Sequence, residues 1–157
     1  MQIHVNPITV LKMCGETCTV QRCVGGQTQR SRQFPLGVDL LVRQSLRHEP
    51  PKPIELEHAI ELVEEAVMPL AAQFAGDTEL VLHGLGALLI AQSLDVGGTK
   101  QFVLKLDEVE ALFGRLVSIS EGRPTRQETL PGNSRFFAAM LILREFMHHL
   151  RFDHLRI

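Results

Sequence analysis

The sequence predicts an α/β fold, a mixed sheet of about five strands covered by helices, and three observations lead there. Strand-type segments crowd the stretch from Ile3 to Phe34 before any long helical pattern begins. A further strand signal, Leu80 to His83, returns only after a long amphipathic helix, and a connection that carries a helix allows a strand to rejoin the sheet in parallel. The run Phe136 to Leu143 is apolar on nearly every face, as a helix at the centre of a fold must be.

Residues Ile3 to Leu11 are rich in β-branched types (Ile3, Val5, Ile8, Thr9, Val10), with Pro7 marking an edge or a bulge. A small turn at Cys14 to Glu16 leads to a second alternating strand, Thr17 to Val24, which Gly25-Gly26 ends, so the two form a hairpin. Ser31 to Phe34 reads as a third strand, closed by Pro35-Leu36-Gly37. A short helix follows from Val38 to Leu46 with Val38, Leu41, Val42 and Leu46 on one side. Pro50, Pro51 and Pro53 cannot continue that helix and form a stiff connector. In the long helix beyond them, Leu56, Ile60, Val63, Val67 and Leu70 make one buried stripe, and Glu55, Glu57, Glu61, Glu64 and Glu65 read as a solvated face.

Glu79 to Leu94 reads as strand, glycine turn and helix, with Gly84-Leu85-Gly86 as the turn. The first N–H groups of a helix entered this way attract anions, phosphate above all, although such a turn also serves as a tight packed connection. Asp95 to Lys100 is an irregular link. Its Gly97-Gly98-Thr99 resembles a phosphate-binding tripeptide but has no strand and helix close on either side, which favours a plain loop. Asp107 is the expected cap of a helix with Val109, Leu112, Phe113, Leu116 and Val117 buried. After a polar loop from Ser120 to Asn133, Ser134 is the expected cap of the central apolar helix, and Phe152 to Ile157 reads as a last short strand.

Length and composition limit the function classes. The 157 residues suit one domain, 1–157, and 22% charged with 45% hydrophobic residues is ordinary for a globular chain. A net charge of -2 gives no nucleic-acid signal, and the arginines between Arg22 and Arg47 read as a solvated face. No run is long and apolar enough to cross a membrane, and MQIHVNPITVLK lacks the pattern of a secretion signal, so a cytoplasmic location without membrane partners is expected. Cys14, Cys18 and Cys23 match neither a disulfide framework nor a zinc pattern and read as buried or half-buried hairpin thiols. His148, His149, Asp153 and His154 include potential metal ligands, but adjacent histidines point to different faces of a helix, and solvation is the plainer reading.

Taken in order, these stretches resemble the second half of the catalytic core of the exopolyphosphatase and guanosine pentaphosphate phosphatase family, a branch of the actin-like, ribonuclease-H-type superfamily. Leu11 to Thr19 (LKMCGETCT) occupies the place of the family's DIGGGSTEL turn. Phe34 to Leu40 and then Glu49-Pro50-Pro51 follow its SLPLGAVRL segment and Pro-containing link. His83 to Ala87 matches the position of a Gly-Gly-Thr-Ala turn opening a helix. Leu106 to Leu116, Leu130-Pro131 and Arg135 to Leu143 follow the family's last helices and the loop between them. The resemblance covers most of the chain and implies a single lobe whose glycine turns hold phosphates, with Gly15, Thr17, Gly84 and Gly86 as the phosphate-binding residues. The family places its polyphosphate or nucleotide between two such halves, and one is present here.

The departures from the motif bear on chemistry. Leu11 stands where the family has an acidic, metal-associated residue, Cys18 replaces a glutamate, and Leu85 replaces a threonine. A leucine cannot hold Mg2+, the cofactor an active enzyme of this type implies, and a cysteine cannot serve as the carboxylate that orients water. A degenerate domain with little or no hydrolysis is therefore expected, binding a phosphate-containing small molecule or assembling with itself or a complementary lobe. The alternatives are an active phosphohydrolase in which Glu16 or Asp95 supplies the missing catalytic carboxylate and a partner chain the rest, and a metal- or redox-linked protein using cysteine and histidine.

Overall fold

The computed structural model describes residues 5–76, 78–94, 101–124 and 128–157. Asp95 and the Gly97-Gly98-Thr99 tripeptide lie outside the described residues, as do Ile3 and His4.

Three antiparallel strands come first: β1 (Ile8–Met13), β2 (Cys18–Val24) and β3 (Gln27–Phe34). Helix α1 (Val38–Gln44) and the proline connector lead to α2 (Pro53–Val67), a 3-10 turn at Met68–Leu70 and the short α3 (Ala71–Phe74). Strand β4 (Glu79–His83) then pairs with β1 in parallel, as the helical connection allows. Helix α4 (Leu85–Ser93), strand β5 (Val103–Lys105), α5 (Leu106–Ser120), α6 (Ser134–Leu150) and β6 (His154–Arg156) complete the chain. The sheet has six strands in the order β3-β2-β1-β4-β6-β5, with β6 parallel to β4 and β5 antiparallel to β6. The α/β class, the leading antiparallel trio and the parallel return of Leu80 to His83 are all borne out.

Alternation along the strands decides which face is covered. Leu11, Met13, Cys18 and Val20 are buried on one face, and Lys12 and Thr19 between them are not. Helix α6 packs against α1, α2, α4 and α5 and shares one apolar core with the buried strand residues. Its residues from Phe136 to Leu143 have no exposed surface, and Phe146 and Met147 join them. The buried charged residue in this run is Glu145, 3% exposed.

Several expectations need correction. The sheet has a sixth strand because β5, only three residues long, pairs with β6, and so short a run carries no alternation to read. Strand β3 begins at Gln27 rather than Ser31; its Gln- and Arg-rich first half is an exposed edge whose polar side chains conceal its extended backbone. The cap of α5 is Lys105, whose N–H is taken by Glu108 Oε2 at 3.0 Å, so Asp107 lies within the first turn. The cap of α6 is Asn133, whose Oδ1 accepts from the Phe136 N–H at 2.8 Å. Ser134 instead donates its hydroxyl to the His48 carbonyl at 2.9 Å, tying the proline connector to α6. Glu55 is not on a solvated face: it accepts from the Lys52 N–H at 2.8 Å and meets His48 Nδ1 at 2.7 Å. Burial opposes its charge, but these bonds outweigh burial and hold its pKa below the usual range.

Candidate functional site

Parallel pairing of β1 with β4 sets Lys12 opposite His83, so both strands deliver their following turns to the same end of the sheet. That is where ligands settle on open α/β sheets, and it brings together the two glycine turns singled out from the sequence.

The first turn, Cys14 to Thr17, is closed by the Cys14 N–H donating to the Thr17 carbonyl at 3.1 Å. Its outward carbonyls are engaged by α1: the Val38 N–H donates to Cys14 O at 3.0 Å, and the Asp39 and Leu40 N–H groups donate to Gly15 O at 2.8 and 3.0 Å. The start of α1, where an anion would otherwise sit, is thus filled by the protein's own hairpin. Gly37 makes this approach practicable, since a Cβ there would come within 2.6 Å of the Glu16 carbonyl carbon. A Cβ on Gly15 would lie 2.6 Å from Asp39 Oδ2, so a carboxylate already occupies its open side.

Glu16 is exposed and held bidentately by Arg43, with Nη1 donating to Oε1 at 2.6 Å and Nη2 to Oε2 at 2.7 Å. These bonds from Arg43 keep the Glu16 carboxyl below the ordinary glutamate range. Asp39 is gripped in the same way by Arg135, whose Nε donates to Oδ1 at 2.9 Å. The Thr17 hydroxyl accepts from Gln33 Nε2 at 3.2 Å. Beneath the turn, the motif positions that would carry acids are apolar: Leu11 and Cys18 are fully buried, and burial pushes the Cys18 thiol up to about 12. This donor set suits Mg2+ poorly, because among the described residues the carboxylates at the turn, Glu16 and Asp39, each bind an arginine, and the carbonyls already accept N–H groups.

The second turn runs from Gly84 to Gly86 and opens α4. Gly84 has φ 86°, in the left-handed region, and a Cβ there would lie 2.7 Å from the Met13 carbonyl oxygen. Gly86 is buried against the Met13 side chain, where an added Cβ would meet the Met13 Cβ at 2.8 Å. Met13 therefore joins the two turns, its backbone beneath Gly84 and its side chain beneath Gly86. Gly84 is exposed, and no side chain caps the start of α4.

The four predicted phosphate-binding residues thus lie at one end of the sheet, on two turns that follow paired strands, with Met13 of β1 packed against the second. Sequence reasoning missed Arg43, Asp39, Gly37 and Met13, which determine what those turns expose. Arg135 reaches this end through Asp39. Arg115 turns instead to Glu128, with its Nε donating to Oε2 at 3.1 Å, and Arg144 to Glu110 at 2.8 Å. The three cysteines are free thiols, with Cys18 buried and Cys14 and Cys23 partly so, as expected. Two open clefts, of about 490 Å³ beside Lys105 and Asp153 and about 400 Å³ beside Leu40 and Leu62, take in neither glycine turn. Among the described residues no helix is long and apolar enough to cross a membrane.

The sequence matches no protein-family model and no curated protein. Solved structures do match. A Ppx/GppA phosphatase from Aquifex aeolicus, in its type II variant, superposes with a TM-score of 0.73 at 16% identity over 97% of this chain and 53% of its own. An exopolyphosphatase-like protein gives 0.73 at 13% identity, over 96% and 54%. An exopolyphosphatase from Cytophaga hutchinsonii gives 0.62 at 14% identity, over 97% and 53%. The chain spans about half the length of these structures. Such low identities speak for architecture alone, and the architecture is clear: this chain has the fold of about half of a Ppx/GppA exopolyphosphatase structure.

Proposed function

We propose that this chain is a degenerate exopolyphosphatase-type domain, one unit over 1–157, that binds a phosphate-containing ligand without appreciable hydrolysis. The observation that carries this reading is the contrast at one sheet end between an engaged hairpin turn and a helix start with no side-chain cap. Phosphoanhydride cleavage needs a cation to neutralise charge and a carboxylate to position water. Glu16 is bound to Arg43, and Leu11 and Cys18 are buried in the motif's acidic places. Binding asks for less. The start of α4 at Gly84 offers backbone N–H groups and the positive end of a helix dipole to a phosphate lying across the strand ends, with Gly15 and Thr17 on the facing turn.

The test combines thermal shift and amide NMR with ATP, ppGpp and polyphosphate, each with and without Mg2+, and an assay of phosphate release. The expected result is a melting point raised by at least one of these ligands, amide shifts concentrated at Gly84 to Ala87, and no release of phosphate. Turnover would overturn the non-hydrolytic part, and an unmoved melting point with every ligand would overturn the binding part.

A second reading has one observation in its favour: the chain matches about half of each solved structure, and in this reading another chain or a second copy contributes a complementary lobe. In that reading the domain is an assembly module, or an active phosphohydrolase whose missing groups come from the partner. Light scattering on the purified chain measures self-association directly. A strict monomer at high micromolar concentration counts against a self-paired cleft.

A further inference from the structure

We propose that Glu64, Glu145 and His149 form a binding site for a d-block divalent cation, Zn2+ foremost, on the seam between α2 and α6. Glu145 and His149 project from successive turns of α6, and Glu64 comes from α2, which packs against it. One donor atom from each of the three falls within 4.8 Å of the other two. His149 Nε2 lies 3.2 Å from Glu145 Oε2 and 3.4 Å from Glu64 Oε1.

The 3.2 Å contact to Glu145 is a hydrogen bond, and both it and the 3.4 Å separation from Glu64 are long for an ion pair. Where this chain makes a close histidine–carboxylate pair, the contact is shorter: 2.7 Å between His48 and Glu55, and 2.6 Å between His154 and Asp153. A charge-assisted N–H to carboxylate bond is typically about 2.7–2.9 Å, and the His149 nitrogen reaches that distance to neither glutamate. Its two separations also match the edge of a tetrahedron, about 3.4 Å between donors each about 2.0–2.1 Å from a zinc ion. An imidazole with two carboxylates is a donor set for zinc-like ions, and three protein ligands leave a fourth position for water.

The surroundings also suit a site. Glu145 is 3% exposed in the most deeply buried helix of the fold, so its charge calls for compensation. Arg144 Nη1 donates to its Oε1 at 2.6 Å, which fixes the carboxylate and leaves Oε2 toward the seam. Arg144 is shared with Glu110, whose Oε2 accepts from Nε at 2.8 Å, so its charge is divided between two carboxylates. His149 and Glu64 are partly exposed and give an ion a way in from solvent.

The experiment is titration of the intact chain with Co2+, followed by the visible absorption of tetrahedral cobalt, and with Zn2+ by calorimetry, in wild type and in Glu64→Gln and His149→Gln. One equivalent of Co2+ is expected to bind with tetrahedral intensity, to be displaced by Zn2+, and to weaken at least about 10-fold in each variant. Zn2+ is expected to raise the melting temperature of wild type and not of Glu64→Gln, a partly exposed position whose amide keeps the fold. Absence of binding at micromolar Zn2+ overturns the proposal. Binding equal in wild type and both variants overturns it too, since it assigns the metal to the hairpin thiols.

Discussion

The two glycine turns at the sheet end look alike in sequence and are built on opposite principles. In the Cys14 to Thr17 turn, backbone carbonyls point at a helix start and satisfy it, and flanking carboxylates are clamped by Arg43 and Arg135. At Gly84 to Gly86 the glycines admit the bulk of Met13, and the helix they open has no side-chain cap. A glycine therefore reports a close approach, and only the identity of the approaching group tells whether a site is closed or open. Here one turn meets a helix's donors and the other meets a methionine.

Four measurements break or sharpen this contrast, the largest effect first. Leu11→Asp, which restores an acid at the buried motif position, is expected to destabilise the fold by about 4 kcal/mol or leave it unfolded, because the carboxyl enters a site with no exposed surface. Urea denaturation measures it; a change under about 1 kcal/mol would mean that the hairpin end is far less tightly packed than described. Gly37→Ala sets a methyl group against the backbone of Gly15 and Glu16 and is expected to cost about 3 kcal/mol. Gly84→Ala combines a left-handed φ with contact on the Met13 carbonyl and is expected to cost about 2 kcal/mol, with both glycine variants read from melting curves. The smallest effect concerns Glu16. Its folded pKa is depressed by Arg43, so the pair's contribution is present above the ordinary glutamate pKa and fades as the pH falls through the depressed value. Both groups are exposed, so the melting point is expected to hold in Arg43→Ala while the Glu16 carboxyl resonance titrates at higher pH.

Elements with long periodic patterns were legible in the sequence. The stripe of α5 lies where its spacing put it, as does that of α2 apart from Leu70, which falls in the 3-10 turn, and the all-apolar run of α6 became the hub of the helices. Caps and short strands were less so, because Lys105 caps α5 although Asp107, two residues on, is the stronger cap type, Asn133 and Ser134 are equally good caps side by side, and Val103–Lys105 is a strand only through its partner. At the site, the four glycine-turn residues were found by local pattern. What surrounds them was not, since the meeting of Met13 with Gly86, or of Arg135 with Asp39, depends on pairings across the fold that no local window contains. The same holds for Glu64 and His149, which read as solvated residues on separate helices and face each other only through the packing of α2 on α6. The signal that was available is Glu145, a charge inside an apolar helix with a histidine one turn later.

The position of β6 constrains the order in which the molecule can assemble. Val103–Lys105 is made before His154–Arg156, yet β6 lies between β4 and β5, so β5 has no backbone to pair with until a stretch some fifty residues downstream is in place. The β1–β2–β3 meander and the joining of β4 to β1 need no such wait. On a chain growing from the ribosome, the antiparallel half of the sheet is able to close early, while α5 and its short leading strand wait for β6 to be laid down.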